Sequence, residues 1–464
     1  MTTSTNVISD LCEDIADYVI TSRFEKLTPS VVTSAKMALI DHLGVTLAAS
    51  GLEPAVQSAI AVAREAGGKP ESVVIGCGFR TSAVMAAFAN GAMAHCLDFD
   101  DQSPWGQHAG SSVLPAVVAL AQRQHVVNGK DVITAIAIGH ELFNRFIQNL
   151  VWKKDWNFST VVGVFCATAS ACHILKLSRD QTKHALGIAL MQCSGTMEVI
   201  NSVGSDLRAM YAGFSAKGAV LASLLAEKGV TGVPKVFEGP HGLFQMYFGG
   251  RYNREAILDG LGQKYIGDQT LFKRWPAVGT SHSHIHATID LVAENKISPA
   301  EIQEIRVHVG DYHQLMCEPI ASRRAPATLV DAKFSLPFLV AIAAAKGGMG
   351  LIDFTSTELR NPEVLATAQK VVPVPDTAFN WKTEMPLGHV EIHTTDGRIF
   401  ARTGIDVPGS PSAPMDWTAL RTKFEECNTV AALPRTPEQL RSALAMGQNL
   451  NKETDCTQLF TLLQ

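Results

Sequence analysis

Aromatic residues are scarce, at 7% of the chain, while alanine and glycine are plentiful. Small side chains let helices approach closely, so many tightly packed helices are expected. No basic run is longer than about a pair, and formal net charge is -5. A nucleic-acid partner is therefore not expected. No C-x-x-C pair occurs among the nine cysteines, an odd number, so free buried thiols in a reducing compartment are the plain reading. No run of about 18 uninterrupted apolar residues is present, so neither a transmembrane helix nor a membrane partner is expected. The N-terminal stretch MTTSTNVISDLCEDIADYVI lacks a basic leader and a continuous apolar core, which points to a cytoplasmic address. There is no P-loop, no G-x-G-x-x-G after a strand and no G-x-S-x-G elbow. Nucleotide enzymes and serine hydrolases rank low accordingly. Repeats and low-complexity segments are missing too, which removes support for a purely structural role.

What is present is a chain of 464 residues, 46% of them hydrophobic, enough for a large core and by default two domains. Residues 6–50 read as two helices separated by LTPS, and 71–76 as a short strand. Residues 81–97 are apolar nearly all round, as in a helix buried on every side. Helical patterns follow at 111–125, 130–149, 159–176, 180–199 and 208–228. The pattern then changes. Residues 303–313 alternate like a strand, and 389–405 alternate on both sides of Asp396-Gly397, a hairpin signal. Helical segments at 281–295, 330–346 and 356–371 lie among them, and helix returns from about 415. The expected fold is mainly α: a large helical domain built from both ends, 1–268 plus 408–464, with an α+β domain, 269–407, inserted.

Several residues can carry chemistry. Asp98, Asp100 and Asp101 put three carboxylates in four residues after a very apolar helix. Asp98 and Asp101, spaced i, i+3, can share a helical face. They serve either as caps to loop backbone or as functional groups. His108, before a Gly-Ser-Ser helix start, is either a loop histidine or an acid/base. Lys273 and Arg274 precede Trp275-Pro276, where two cations suit a substrate carboxylate. His282 and His286 have an i, i+4 spacing known from zinc sites, but the companion Glu and a third ligand are missing, so no metal is assigned. Arg208 opens the 208–228 helix, a position usual for a surface or capping residue. Glu141 and Arg145 read as a structural ion pair.

The stretches DHLGVTLAAS (41–50), FANGAMAHCLDFDD (88–101), HAGSSVLPAVVALAQ (108–122), YAGFSAKGAVLASLLAEKGVTG (211–232) and FKRWPAVGTSHSHI (272–285) resemble, in order, the motifs of the MmgE/PrpD family. That family includes 2-methylcitrate dehydratase, cis-aconitate decarboxylase and iminodisuccinate epimerase. The resemblance implies a helical domain with a smaller chorismate mutase-like lid, a homodimer, and neither metal nor organic cofactor. Of the family's site residues, it carries over Asp98, His108 and Lys273. Where the family often has a lysine and then a histidine, the register gives Arg208 and Tyr211. The usual F-H-P or W-H-P histidine falls on Asn157, which hydrogen-bonds but transfers no proton at ordinary pH. Gln102 stands where the decarboxylases tend to have threonine. Their lid tyrosine falls near Gln314 or Leu315, and a further histidine falls on Val278.

The resulting expectation is a metal-independent lyase, hydro-lyase ahead of decarboxylase, acting on a small di- or tricarboxylate beside a carboxylate. His108 is the expected acid/base, oriented by Asp98 or Asp101. Lys273 and Arg208 bind carboxylates, with Lys273 also a possible proton donor. Asn157, Asp101, Gln102, Arg274 and Tyr211 complete the expected site. The alternatives are an epimerase or isomerase of a dicarboxylate and a catalytically silent carboxylate-binding protein.

Overall fold

Residues 9–124, 126–382 and 384–464 are described by a computed structural model of the chain. The first eight residues, on which part of the leader and first-helix readings rest, lie outside them, as does the last residue of the 111–125 pattern. The described residues are mainly α-helical with one two-stranded and one four-stranded sheet.

Small residues set the helix packing. Helices Ala83–Cys96 and Leu207–Glu227 make the most extensive contact between elements. A Cβ on Gly91 would lie 2.8 Å from the Gly213 Cα, and one on Gly213 would lie 2.4 Å from the Phe88 carbonyl oxygen. Only glycine permits this approach. Around the pair pack Gly110–Arg123, Gly163–Leu175 and Arg179–Ala189. From the other end of the chain, Trp417–Thr429 lies along Pro29–Leu52. Three helices, Pro29–Leu52, Phe158–Leu175 and Leu207–Glu227, are long and apolar enough to cross a membrane by length and composition. Most of each is buried inside the protein, in contacts that use up the apolar surface.

A second hydrophobic cluster collects residues from Trp275 to Ile392. Its sheet comprises β3 (Ile302–Val309), β4 (Val371–Pro375), β5 (His389–Thr394) and β6 (Ile399–Thr403), while β1 (Ser72–Val74) and β2 (Phe79–Thr81) form the small hairpin. The order is β4-β3-β5-β6, with β3 and β4 parallel and the other pairs antiparallel. Helices His282–Asn295 and Leu336–Lys346 supply much of the rest of this core. The β5–β6 hairpin turns at Asp396-Gly397 as the alternation predicts, with Gly397 at φ 87°. A buried ion pair between Lys333 and Glu53 ties this part to the helices.

Three helical expectations shorten. The 180–199 helix stops at Ala189, and the chain turns through Gly195 at φ 126°. The 330–346 helix divides into Leu329–Lys333 and Leu336–Lys346, because Ser335 caps the second piece through Phe338 N–H. The 356–371 helix is Pro362–Gln369, started by Pro362 in its first turn.

Candidate active site

The acidic run works because the helix stops before it. Helix Ala83–Cys96 ends, and Asp98 takes left-handed backbone at φ 51°. Asp98 and Asp101 therefore share no helical face, which corrects the i, i+3 expectation. Successive carboxylates instead leave the loop toward different partners.

Asp98 is gripped by two cations. Lys273 Nζ donates to its Oδ1 at 2.9 Å and to its carbonyl at 2.8 Å, and Arg208 Nη2 donates to Oδ2 at 3.0 Å. Burial opposes ionisation of Asp98, but Lys273 and then Arg208 outweigh it and hold the carboxyl well below the usual range. Arg208 is 8% exposed and lies over the Phe334 ring at 3.5 Å, so it is not the surface residue its helix-start position predicts. Its Nε is buried with no hydrogen-bond partner among the described residues.

Asp100 holds two histidines. His95 Nδ1 is 3.0 Å and His108 Nδ1 3.1 Å from its Oδ2. His108 Nδ1 also lies 2.9 Å from the Asp101 carbonyl. Both neighbours of that nitrogen are acceptors, so it carries the proton and leaves Nε2 as the basic atom. The His108 N–H donates to Ser159 Oγ at 2.9 Å, fixing the backbone as well. The side chain that orients His108 is thus Asp100, neither Asp98 nor Asp101 as the sequence predicts. Burial opposes ionisation of Asp100 too, and His108 and His95 overcome it. His95 stacks on Tyr211, ring centroids 4.3 Å apart, and touches His108 edge-on at 4.7 Å. Burial depresses the basicity of His95.

Asp101 takes a different role. Burial, then Asp100 and Asp41, push its carboxyl well above the usual range. Its Oδ2 faces His140 Nε2 at 3.5 Å, and burial drops His140 to about 4. His140 is therefore neutral near pH 7, packed against Asp101 behind the acidic loop. Asn157 is 1% exposed; its backbone N–H donates to Gly195 O at 2.9 Å and its Oδ1 accepts from Thr160 N, capping the turn Phe158–Val161. Asn157 Nδ2 has no partner among the described residues. That turn carries Ser159, which seats His108. Gln102 pairs through its backbone with Leu271, N···O 3.0 and 2.8 Å. It lines, with Lys273, Gly279 and His282, a cavity of about 400 Å3. That is a volume suited to a small-molecule ligand. A larger groove of about 710 Å3 near His173 shares no residue with the cluster.

Arg274 does not join the site. It points to Glu426 at 3.4 Å, and 37% of its side chain is exposed. Residues in sequence next to each other, as Lys273 and Arg274 are, diverge in extended chain. His282 Nε2 lies 3.2 Å from the Ala277 carbonyl and His286 Nε2 3.6 Å from Asp290, so the i, i+4 pair converges on nothing. Glu141 and Arg145 form the expected ion pair at 2.6 Å.

Three contributors escape sequence reasoning. His95 and Asp100 sit inside the recognised motif, but spacing does not say that they face His108. Lys423, from the far end of the chain, is 2% exposed; it donates to Phe99 O at 2.7 Å and Lys273 O at 3.0 Å and pairs with Asp41 at 2.6 Å. It pins the acidic loop to the segment that carries Lys273, and only its burial reveals it.

Ring nitrogens of His95 and His108 and a carboxylate oxygen of Asp98 lie within 4.8 Å of one another. They fit a metal poorly. Both Asp98 oxygens are already occupied by Lys273 and Arg208, whose charges would repel a divalent ion. The arrangement suits acid–base chemistry on an anion: a histidine with one free nitrogen, two buried cations, and buried unpaired donors on Arg208 and Asn157.

Comparison with known proteins places the chain among lyases by likeness. Cis-aconitate decarboxylase of Aspergillus terreus is 27% identical over 414 residues, covering 84% of this chain and 83% of that protein. The Homo sapiens cis-aconitate decarboxylase is 25% identical over 480 residues, covering 99% and 95%. The 2-methylcitrate dehydratase of Escherichia coli is 25% identical over 422 residues, covering 85% and 84%. Residues 13–255 match the MmgE/PrpD N-terminal domain and 275–446 the MmgE/PrpD C-terminal domain, and the chain belongs to the MmgE/PrpD family.

Proposed function

We propose that the protein is a lyase that acts on a small di- or tricarboxylate at a carbon next to a carboxylate, using side chains alone. The observation that carries this reading is the pairing of Asp98, held by Lys273 and Arg208, with His108, held by Asp100. The relatives named decarboxylase and dehydratase support the same class.

In the dehydration reading, His108 Nε2 takes the proton from the carbon beside a carboxylate. The electron pair moves toward that carboxylate, and the developing charge meets Arg208 and Lys273. The C–O bond breaks as Lys273 Nζ protonates the leaving hydroxyl, and water departs. Arg208 Nε and Asn157 Nδ2 hold substrate oxygens, because both are buried donors without partners among the described residues. Segment 269–407 is read as a lid, since it supplies Lys273 to Asp98.

A second reading has one observation in its favour. Asn157 transfers no proton, and decarboxylation needs only one: the C–CO2 bond breaks and the carbanion-like carbon takes a proton from protonated His108 or from Lys273.

The test is a mass-resolved incubation of purified protein in deuterated water with citrate, 2-methylcitrate, isocitrate, cis-aconitate and iminodisuccinate, beside His108→Ala. Loss of water or of CO2, reduced about 10²–10⁴-fold in the variant, is expected. Deuterium gain without mass loss would make it an epimerase. Turnover within a factor of about two in His108→Ala would remove His108 as the acid/base.

A further inference from the structure

The solvent-facing side of the four-stranded sheet carries a second histidine cluster that the lyase reading does not use. His308 on β3 stands directly across from His389 on β5, and Glu391 and His393 follow at alternate positions on the same face. His308 Nε2 is 3.2 Å from Glu391 Oε1, and Glu391 Oε2 is 3.0 Å from His393 Nε2. The His308 and His389 rings are perpendicular, centroids 4.9 Å apart, with Phe379 against both. One ligand atom each from His308, His389 and Glu391 falls within 4.8 Å of the others.

We propose that His308, His389 and Glu391 form a binding site for a borderline divalent metal ion of the zinc class, on the opposite face of the sheet from its core helices.

Ligand type and orientation both carry the argument. Two imidazoles and a carboxylate are a donor set suited to zinc or its neighbours, and bonds of about 2.0–2.2 Å put tetrahedral ligand atoms about 3.3–3.5 Å apart. The His308–Glu391 edge, at 3.2 Å, is already close to that length. The rest closes by small side-chain rotations on a face where these groups are half-buried. Each ring is also held by its other nitrogen. Asp376 Oδ2 lies 3.3 Å from His308 Nδ1, a carboxylate–histidine arrangement, and Thr403 Oγ1 lies 2.9 Å from His389 Nδ1. Such outer partners orient metal-binding imidazoles and leave Nε2 for the ion. Arg306, across from Glu391 in register, is bonded to Glu304 at 2.5 Å, which turns the nearest strand cation away. His393 is placed to supply a fourth ligand or to yield to water. Unlike Asp98, Glu391 has no lysine or arginine partner among the described residues.

The full-length protein, stripped with a chelator and desalted, is titrated with Zn2+ by calorimetry and with Co2+ by visible absorption. One ion per chain is expected, with the strong absorption of tetrahedral cobalt. His308→Ala and His389→Ala should each weaken binding at least about tenfold, and Asp376→Asn about tenfold through ring orientation. Glu391→Gln, of nearly equal size, guards against loss through misfolding and should weaken binding comparably while the melting temperature holds. Wild-type binding equal to that of the His308→Ala/His389→Ala double variant overturns the site. So does binding that is lost in His108→Ala, because the ion would then sit at the other cluster.

Discussion

Asp98 occupies left-handed backbone and sits between two buried cations, so charge and conformation can be separated there. Asparagine tolerates that backbone region better than most residues. Asp98→Asn should therefore keep the loop but strand Lys273 and Arg208 without a counter-charge. Breaking such a buried pair costs about 3–5 kcal/mol. The expected result is a clear drop in melting temperature, partly restored by added citrate or succinate, whose carboxylate takes the vacated place. A variant as stable as wild type, or indifferent to carboxylates, would show that the two cations are not held for an anion. The same residue shows the limit of sequence reading. The motif brings Asp98, His108, Lys273, Arg208 and Tyr211 to attention, and they do gather. Which carboxylate faces which partner depends on a single reversal of φ, and no spacing rule encodes it. Asp100 was visible in the run and its task was not.

At the scale of elements, the site hangs on one helix contact. Helix Ala83–Cys96 presents His95 and leads into Asp98, and helix Leu207–Glu227 presents Arg208 and Tyr211. Gly91 and Gly213 set the separation of the two. Gly213→Ala places a methyl group against the Phe88 carbonyl, and overpacking of this kind costs about 1–3 kcal/mol. It should also lower kcat, because the Arg208–Asp98 bond spans the gap being widened. Gly348→Ala, where nothing lies within 4 Å of the added Cβ, is the control and should change neither. Equal stability of the two variants would mean that the helices slide apart freely. These helices were legible because their small apolar residues recur without polar interruption. Strand β4 was not, because its sequence VVPVP holds two prolines, which cannot donate to a ladder. It survives as an edge strand, paired on one side only, with β3. The Leu329–Lys333 break escaped for a related reason: Ser335 in an apolar run looks like a tolerated polar residue until it is seen to cap.

Across the whole molecule, burial has made neutral histidine a structural commitment. Burial is the largest cause in each case: it lowers His42 and His282 to about 3, His140 and His313 to about 4, and His284 and His95 below their ordinary value. In the unfolded chain these groups titrate near 6.5. As pH falls below that value the unfolded state binds protons that the folded state refuses, so stability falls. Asp41 and Asp101 run the other way. Burial raises both, and the folded state keeps protons that the unfolded chain releases above about 4. The four histidines held at about 3 to 4, against two raised carboxyls, leave a net uptake of protons on unfolding near pH 5. Each net proton is worth about 1.4 kcal/mol per pH unit. Melting temperature should therefore fall steadily from pH 6.5 to pH 4.5. His140→Gln, which keeps a hydrogen-bonding side chain toward Thr270, should make the decline shallower by about one proton's share. A melting temperature that stays flat or rises over that interval would mean that these histidines are charged in the folded protein, and the neutral His140 behind the acidic loop would have to be abandoned with them.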